Sequence, residues 1–212
     1  MTTDPGERLL DPNNKVGHIK TYPTLTYVNL YDPDPDTIHV RDIAHHLSLI
    51  NRYGGGSAMG INVADHSVRV AMEANANPTT RHLALECLMH DAAEAYLGDW
   101  IRPMKAMPEI RQAYVKLETG INDAIWRAIP HLLNQAHPEV ELVVAETDDK
   151  VLVREMEHLR YLTYSQARER QQFIPTPEQS EATFLNCFCM FSAKRLGFSY
   201  TRDDVFTKET WW

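Results

Sequence analysis

The segment LECLMHDAAEAYLGDW, residues 85–100, combines the apolar spacing of a core-facing helix with several ionisable side chains. These side chains are His90, Asp91, Glu94 and Asp99. A buried helix face excludes unpaired charge, because taking a charge out of water is costly. Imidazole nitrogen and carboxylate oxygen are ligands that a divalent transition metal accepts together. The segment therefore predicts that His90 and Asp91 form part of a metal site.

The remaining ligands must come from other parts of the chain. His90 and Asp91 are neighbours and point about 100° apart on a helix, so both can reach a point between them. His66 lies in NVADHSVRVA on the preceding predicted helix, and Asp148 lies in AETDDKVLVRE on a late one. Together the four side chains leave coordination positions for water or substrate, as a catalytic metal requires.

The dipeptide alone is a weak motif. The chain has ten histidines, and on the order of one His–Asp pair is expected by chance in a chain of this size. A lone buried histidine is more often a hydrogen-bonded core residue than a metal ligand. A structural role is therefore the better interpretation of the pair by itself, and the surrounding sequence has to decide.

The elements that must position these residues are helical in pattern. Asp42 is predicted to cap a first helix, with Ile43, Leu47 and Ile50 on one face, that stops before Gly54. Further helices are predicted over residues 63–77, 79–97, 109–128, 139 to about 171, and 178–196. Residues 25–31 give the one short strand signal. The pattern predicts an all-α protein of six or seven helices around one core.

We divide the chain into an irregular N-terminal segment (1–36), a helical domain (37–200) and a C-terminal tail (201–212). The 212 residues are 43% hydrophobic, enough for one domain with a real core. The formal charge of −8 argues against a nucleic-acid polymer or an anionic membrane as partner, so an anionic substrate would need a local basic patch. The absence of a secretory signal, of a membrane-spanning run and of a disulfide framework predicts a cytoplasmic protein.

These motifs resemble those of the HD-domain phosphohydrolases. NVADHSVRVA, then HDAAEAYLGDWIRPMK, then an aspartate on a late helix follow the pattern of that superfamily. Upstream, DIAHHLSLINRYGG is similar to the branch containing bacterial 5′-deoxynucleotidases and their phage relatives, including phage dATP triphosphohydrolases. The resemblance covers residues 38–159. It implies an HD-domain helical bundle, and for a phage protein the compartment would be the host cytoplasm.

The resemblance implies a mononuclear metal centre. Its ligands would be His66, His90, Asp91 and Asp148. The metal would be a divalent transition ion (Co, Mn, Zn, Ni or Fe), and a second Mg²⁺ or Co²⁺ could accompany the phosphates. Asp149 competes with Asp148 as the fourth ligand. Asp148 is preferred because the leucine and glutamate that usually follow it at fixed spacing match Leu152 and Glu155 in this sequence.

The resemblance also implies roles around the metal. Glu94 would transfer a proton or position water, and Asp99 would support catalysis. Arg52 and Tyr53 would meet the phosphate and the sugar, and Lys105 would meet phosphate oxygens. Chemically, Arg52 offers a planar fork for phosphate, and Glu94 with a raised pKa suits protonation of the leaving oxygen.

The chain departs from the family pattern at two places. Ala145 stands where a basic residue usually precedes the late aspartate, so one phosphate contact is missing or replaced. Tyr53 stands where the bacterial nucleotidases have tryptophan, so the choice of sugar or base is expected to differ. Arg102 lies near Lys105, and the sequence leaves open whether it joins the phosphate patch or is simply exposed to solvent.

The predicted function is metal-dependent cleavage of the 5′-phosphate ester of deoxynucleotides. Basic side chains near the site slightly favour a dNTP triphosphohydrolase, which releases deoxynucleoside and triphosphate; the alternative is a 5′-deoxynucleotidase acting on dNMPs. A protein of another class, a catalytically silent helical domain that binds nucleotides, would be expected to have lost a ligand or Glu94, and none is lost here. We also expect a homo-oligomer, a dimer or larger.

Overall fold

The computed structural model describes residues 16–133, 137–157, 162–170 and 174–197. The chain is mostly helical, which confirms the predicted all-α class. A small antiparallel pair precedes the helices, formed by β1 (His18–Lys20) and β2 (Tyr27–Asn29). Only the second of these strands falls within the predicted strand signal. The helices are α1 (Val40–Leu49), α2 (Val63–Ala76), α3 (Ala84–Met89), α4 (Glu94–Leu97), α5 (Arg102–Lys105), α6 (Pro108–Ala128), α7 (Pro138–Glu155), α8 (Tyr164–Arg170) and α9 (Pro177–Leu196).

Helix α2 lies at the centre of the fold. It packs against α3, α7 and α9, while α1 packs against α4 and α9. The core between these helices consists of aliphatic and aromatic side chains such as Ile43, Leu47, Val70, Leu85 and Phe184, all fully buried. Their removal from water drives the assembly of the helices. Since α2, the α3–α4 segment and α7 share this core, the residues on their facing sides are held close together.

The first helix differs from its prediction at both ends. It begins at Val40 after His39, and Asp42 lies inside its first turn rather than at the cap. The buried carboxylate of Asp42 accepts hydrogen bonds from the backbone N–H and the hydroxyl of Thr24, at 3.0 and 2.5 Å. Asp42 therefore ties the N-terminal loop to the domain. The helix ends at Leu49, before the glycines, because the backbone of Arg52 bonds instead to Ile61.

The predicted single helix over residues 79–97 is wrong. The segment contains a 3-10 turn (Arg81–Leu83), then α3, then a tight turn, then α4. In the tight turn the N–H of Ala92 bonds to the carbonyl of Met89 and that of Glu94 to Asp91, three residues back, at 3.1 and 2.9 Å. Side chains three apart eclipse one another in this geometry. Asp91 and Glu94 are thus brought to the same side of the turn.

The predicted helix from 139 to about 171 is also wrong. It is divided into α7 and α8, and residues 158–161 lie outside the described part of the chain. Neither glycine nor proline separates the two helices in the sequence. A start signal was nevertheless present, because Thr163 and Gln166 form hydrogen bonds of the capping-box type before α8. These two divisions, together with the four-residue α5 in a segment predicted to be a loop, account for the helices of the described residues beyond the six or seven expected.

The other helix predictions are confirmed within one or two residues. Helices α2, α6 and α9 occupy the predicted segments. The start of α9 has a full capping box between Thr176 and Gln179. The division of the chain at residues 36 and 200 stays a prediction, since 1–15 and 198–212 lie outside the described residues. Within the described part, no helix has the length and apolar character needed to cross a membrane.

Candidate metal centre

The four predicted ligands converge from three elements. His66 comes from α2, His90 and Asp91 from the end of α3 and the turn after it, and Asp148 from α7. The Nε2 atom of His66 lies 2.9 Å from Oδ1 of Asp148 and 3.9 Å from Oδ2 of Asp91. The Nε2 atom of His90 lies 3.1 Å from Oδ2 of Asp91 and 4.0 Å from Oδ1 of Asp148. Two imidazoles and two carboxylates therefore surround one small region.

The atoms that face this region lack ordinary hydrogen bonds. Nε2 of His66, Nε2 of His90 and Oδ1 of Asp148 are buried and have no hydrogen-bond partner in the described structure. These atoms lie close together but are not aligned for hydrogen bonds with one another. This is expected of ligands that point toward one metal position. The ligand atoms of His66, His90 and Asp91 all lie within 4.8 Å of one another. Buried polar atoms need a partner, and a divalent metal ion fits this donor set.

Each histidine ring is oriented by a hydrogen bond at Nδ1, the nitrogen that faces away from the cluster. Nδ1 of His90 donates to the carbonyl oxygen of Cys87 at 2.8 Å, and Nδ1 of His66 donates to Oε1 of Glu155 at 3.0 Å. A carbonyl and a carboxylate can only accept, so the proton of each neutral ring is on Nδ1. The Nε2 lone pairs are then free to bind a metal.

The charges of the cluster are mutually dependent. Burial by itself lowers the pKa of His90, but Asp91, Asp148 and the Cys87 carbonyl raise it to about 9. Burial would raise the pKa of Asp91, yet His90, His66 and Arg52 hold it below its ordinary range. In the metal-free protein a proton on His90 thus balances the carboxylates. A metal cation would replace that proton.

A pocket of about 400 Å³ opens beside the cluster. This volume is within the range of small-molecule sites. The lining combines polar side chains, among them most of the predicted site residues, with several apolar ones. The lining residues are Arg52, Tyr53, Asp91, Glu94, Asp99, Trp100, Ile101, Arg102, Pro103, Lys105, Asp148, Leu152 and Met156. His66 is fully buried behind this lining.

Arg52 and Tyr53 lie in a 3-10 turn (Arg52–Gly55) that follows α1. Tyr53 has a φ of +61°, which is unfavourable for a side chain of its size. Its backbone N–H donates to Oδ2 of Asp99 at 3.1 Å, which holds the turn in this conformation. The next residue, Gly54, also has a positive φ, at +60°. The strain has the effect of presenting Tyr53 to the pocket.

The side chain of Arg52 is nearly buried among carboxylates. Its NH1 atom lies 3.6 Å from Oδ2 of Asp91, and its Nε atom lies 3.2 Å from Oε2 of Glu155. Burial lowers the pKa of Arg52, but these two carboxylates more than offset it, so the pKa is raised above its ordinary value. Arg52 therefore brings a permanent positive charge to the edge of the predicted metal site.

Glu94 is buried and paired with Lys105. The Nζ atom of Lys105 donates to Oε1 of Glu94 at 2.9 Å, while Oε2 of Glu94 has no hydrogen-bond partner in the described structure. Burial and the charges of Asp91 and Asp99 raise the pKa of Glu94 to about 8, although Lys105 opposes the shift. Lys105 thus lines the pocket and also forms an ion pair with the carboxylate of Glu94. Its predicted contact with phosphate stays a prediction.

The remaining predicted residues lie at the rim. The side chain of Arg102 is 67% exposed, and its NH2 atom lies 3.3 Å from Asp148 and 3.2 Å from Asp149. Asp149 is equally exposed, whereas Asp148 faces His66. The structure therefore brings Asp148, and not Asp149, to the cluster. Asp99 supports the Tyr53 backbone, a contact that the sequence did not indicate.

Glu155 was not predicted to belong to the site. It is 2% exposed and contacts His66, Arg52 and Tyr53. Burial raises its pKa, but these contacts outweigh burial and keep the pKa below its ordinary value. A sequence signal existed, because Glu155 follows Asp148 by seven residues, two turns further along the same helix face. The apolar wall, with Trp100, was also missed, since it forms only when distant segments meet.

Comparison with known proteins gives consistent matches. Residues 39–172 match the family described as 5′-deoxynucleotidase YfbR-like. An uncharacterised protein of Rhodobacter capsulatus is 38% identical over 102 residues, which are 46% of this chain and 51% of that protein. The uncharacterised protein YfdR of Escherichia coli is 29% identical over 118 residues, 55% of this chain and 62% of YfdR. The matched parts thus span about half to three fifths of the length of these relatives.

Proposed function

Since this chain belongs to the YfbR-like 5′-deoxynucleotidase family, within the HD superfamily of metal-dependent phosphohydrolases, we propose that it hydrolyses the 5′-phosphate ester of deoxynucleotides. The observation that carries the proposal is the convergence of His66, His90, Asp91 and Asp148 beside a pocket edged by Arg52. The buried, unpartnered Nε2 atoms support a metal in this place.

The residues of the pocket suit the steps of ester hydrolysis. A bound metal supplies Lewis acidity and lowers the pKa of a coordinated water. Arg52 binds the phosphate through its fork, and its charge offsets that of the substrate. Glu94 gives a proton to the departing 5′-oxygen, a role for which burial and its neighbours have raised its pKa. Lys105 holds Glu94 in place through Oε1 and leaves Oε2 for the substrate.

The apolar residues that line the pocket suit the nucleoside. Trp100, Ile101, Leu152 and Met156 offer an apolar and partly aromatic surface for sugar and base. The Tyr53 ring also lines the pocket, with the Arg52 guanidinium 5.3 Å from its centroid, and suits contact with the deoxyribose beside the phosphate.

Monophosphates and triphosphates are both candidate substrates. The family match supports a 5′-deoxynucleotidase. Arg102 favours the second candidate, dNTP triphosphohydrolase activity, because it adds a cation on the exposed rim where distal phosphates would emerge. Its present pairing with Asp148 and Asp149 would have to be exchanged for phosphate oxygens.

The test is a substrate panel. Metal-free protein is loaded separately with Mn²⁺, Co²⁺, Zn²⁺, Ni²⁺, Fe²⁺ or Mg²⁺ and incubated with the four dNMPs and the four dNTPs. Chromatography then distinguishes deoxynucleoside plus phosphate from deoxynucleoside plus tripolyphosphate. Release of deoxynucleoside that requires His90 supports the proposal.

Nucleotide binding without any product would instead support the silent helical domain. The cytoplasmic location, the homo-oligomer and the absence of nucleic-acid and membrane partners stay predictions. Size-exclusion chromatography with light scattering measures the oligomeric state directly.

A further inference from the structure

Glu155 contacts two parts of the site that lie on different elements of the chain, the predicted metal ligand His66 and the Arg52–Tyr53 turn. Its Oε1 atom lies 3.0 Å from Nδ1 of His66, the ring nitrogen that faces away from the predicted metal position. Its Oε2 atom accepts a hydrogen bond of 3.0 Å from the Tyr53 hydroxyl and lies 3.2 Å from Nε of Arg52. One nearly inaccessible carboxylate therefore has one oxygen on a metal ligand and the other on the turn that faces the substrate.

We propose that Glu155 is a positioning residue that couples the Arg52–Tyr53 turn to the metal centre through His66. The inference rests on the proposed metal site. The position of the carboxylate that orients the His66 ring also fixes where Tyr53 and Arg52 lie. A displacement of His66 therefore changes the positions of Tyr53 and Arg52, and a displacement of that turn changes the orientation of His66.

The geometry explains why the link is specific. A carboxylate has two acceptor oxygens and no donor, and all three facing groups are donors: Nδ1–H of His66, the Tyr53 hydroxyl and Nε–H of Arg52. An inter-helix ion pair that serves only to hold α2 against α7 exists elsewhere, where Glu73 meets Lys150 and Arg154 on the surface. In the described structure, the hydrogen bonds and ion pairs of the Glu155 carboxylate go to groups of the site. It therefore does more than join the helices.

The first test is Glu155→Gln, which keeps the shape of the side chain. In either orientation the amide turns its N–H₂ group toward a donor on one side of the link, and the loss of the negative charge weakens the contacts on both sides. Co²⁺ titration of the metal-free protein, followed by visible absorption, should show an affinity about 10–100-fold lower. The KM for the deoxynucleotide that wild type hydrolyses best should rise as well. Glu73→Gln, between the same two helices, should leave both quantities within about twofold, as expected for an exposed pair.

The second test keeps the inference open to refutation if Glu155→Gln fails to fold. Tyr53→Phe removes only the hydroxyl, which donates to Oε2 of Glu155, whereas His66 is held by Oε1. If the link operates, the loss of one hydrogen bond to Glu155 should raise KM and also weaken Co²⁺ binding, by about threefold or more. Tyr31→Phe, at an exposed tyrosine, is the matched control.

The outcomes separate this inference from the proposed function. Unchanged Co²⁺ affinity in Tyr53→Phe, or a Glu155→Gln protein in which only one of the two quantities changes, overturns the coupling. If the wild-type protein itself does not bind Co²⁺, the proposed metal site is wrong, and the coupling that rests on it is wrong as well. If it binds Co²⁺ and hydrolyses no deoxynucleotide, the proposed substrate class is wrong, and the Co²⁺ measurements on Tyr53→Phe still decide the coupling.

Discussion

At the residue scale, the site gathers groups that burial alone would neutralise. Neighbouring charges decide the outcome instead, raising the pKa of His90 to about 9 and lowering that of Asp91. Burial and like charge act together at Glu94, whose pKa rises to about 8, and at Asp99, whose pKa is also raised although Arg52 and Lys105 oppose the shift. The carboxylates near the site therefore differ in character, and different environments commonly give acidic groups different roles.

His90→Ala should remove most of the bound metal. The mutation deletes one of the two inward-facing Nε2 atoms and leaves three of the four predicted ligands. Elemental analysis of the purified protein measures occupancy. His82→Ala, at an exposed histidine paired with Glu139, should retain wild-type occupancy. Full occupancy in His90→Ala would exclude this histidine as a ligand.

Metal binding should release about one proton near pH 7.5. With a pKa of about 9, His90 is protonated in the metal-free protein, and the proton must leave before Nε2 can bind. The apparent affinity should therefore fall as pH decreases from 9, by about tenfold per unit. Calorimetric titration in buffers of different ionisation enthalpy counts the protons. A binding enthalpy independent of the buffer would contradict the assignment.

Glu94→Gln should retain the metal and lose activity by about 10²–10⁴-fold. The amide keeps the shape of the side chain but cannot give up a proton to the leaving oxygen. Metal content and kcat are measured on the same preparation. The control is Glu118→Gln, since Glu118 is the other carboxylate near Lys105, at 3.9 Å. Turnover at the wild-type rate in Glu94→Gln would exclude Glu94 as the proton donor to the leaving oxygen.

At the element scale, α7 and the α3–α4 turn place the chemistry. Helix α7 presents Asp148 to the cluster and Glu155 two turns later on the same face. The tight turn after α3 puts Asp91 and Glu94 on one side. Hydrophobic spacing predicted helix in both regions but not the turn that interrupts one of them. The hydrogen bonds of that turn depend on packing against α2 and α7, which local propensity does not contain.

The orientation of α7 gives a matched pair of neighbouring substitutions. Asp148→Asn should weaken metal binding by at least about tenfold, because its Oδ1 faces both histidines. Asp149→Asn should leave metal binding unchanged, because this carboxylate is exposed and pairs with Arg102 rather than facing the histidines. Co²⁺ titration of both proteins compares them directly. The reverse order of affinities would mean that α7 is rotated by one residue.

At the scale of the whole molecule, a buried ion pair anchors α9 away from the site. Glu86 of α3 is fully buried, accepts from Leu133 N–H at 2.9 Å, and pairs with Arg195 of α9 at 2.8 Å. Arg195 also donates to the His131 carbonyl at 3.0 Å. The pair therefore joins α3, the segment after α6 and the end of α9. None of these residues lines the pocket.

Arg195→Ala should lower the free energy of unfolding by about 3–5 kcal/mol, because it leaves Glu86 buried without its cation. Urea denaturation measures the change. The neighbouring Lys194→Ala, at an exposed side chain, should cost less than about 0.5 kcal/mol. The folded fraction of Arg195→Ala should keep wild-type kcat and metal content. A loss of activity larger than the loss of folded protein would link α9 to the site.

The sequence by itself determined the helical class, most helix positions and the residue types of the site. Hydrophobic period, caps and the spacing of His66, His90, Asp91 and Asp148 are local properties that a single chain displays. Only the tertiary structure decided that Asp148 and not Asp149 faces the histidines, that Lys105 pairs with Glu94, and that Glu155 links His66 to Tyr53. These contacts join residues 11 to 102 positions apart. Their partners are chosen by how the helices pack and rotate, which local periodicity does not encode.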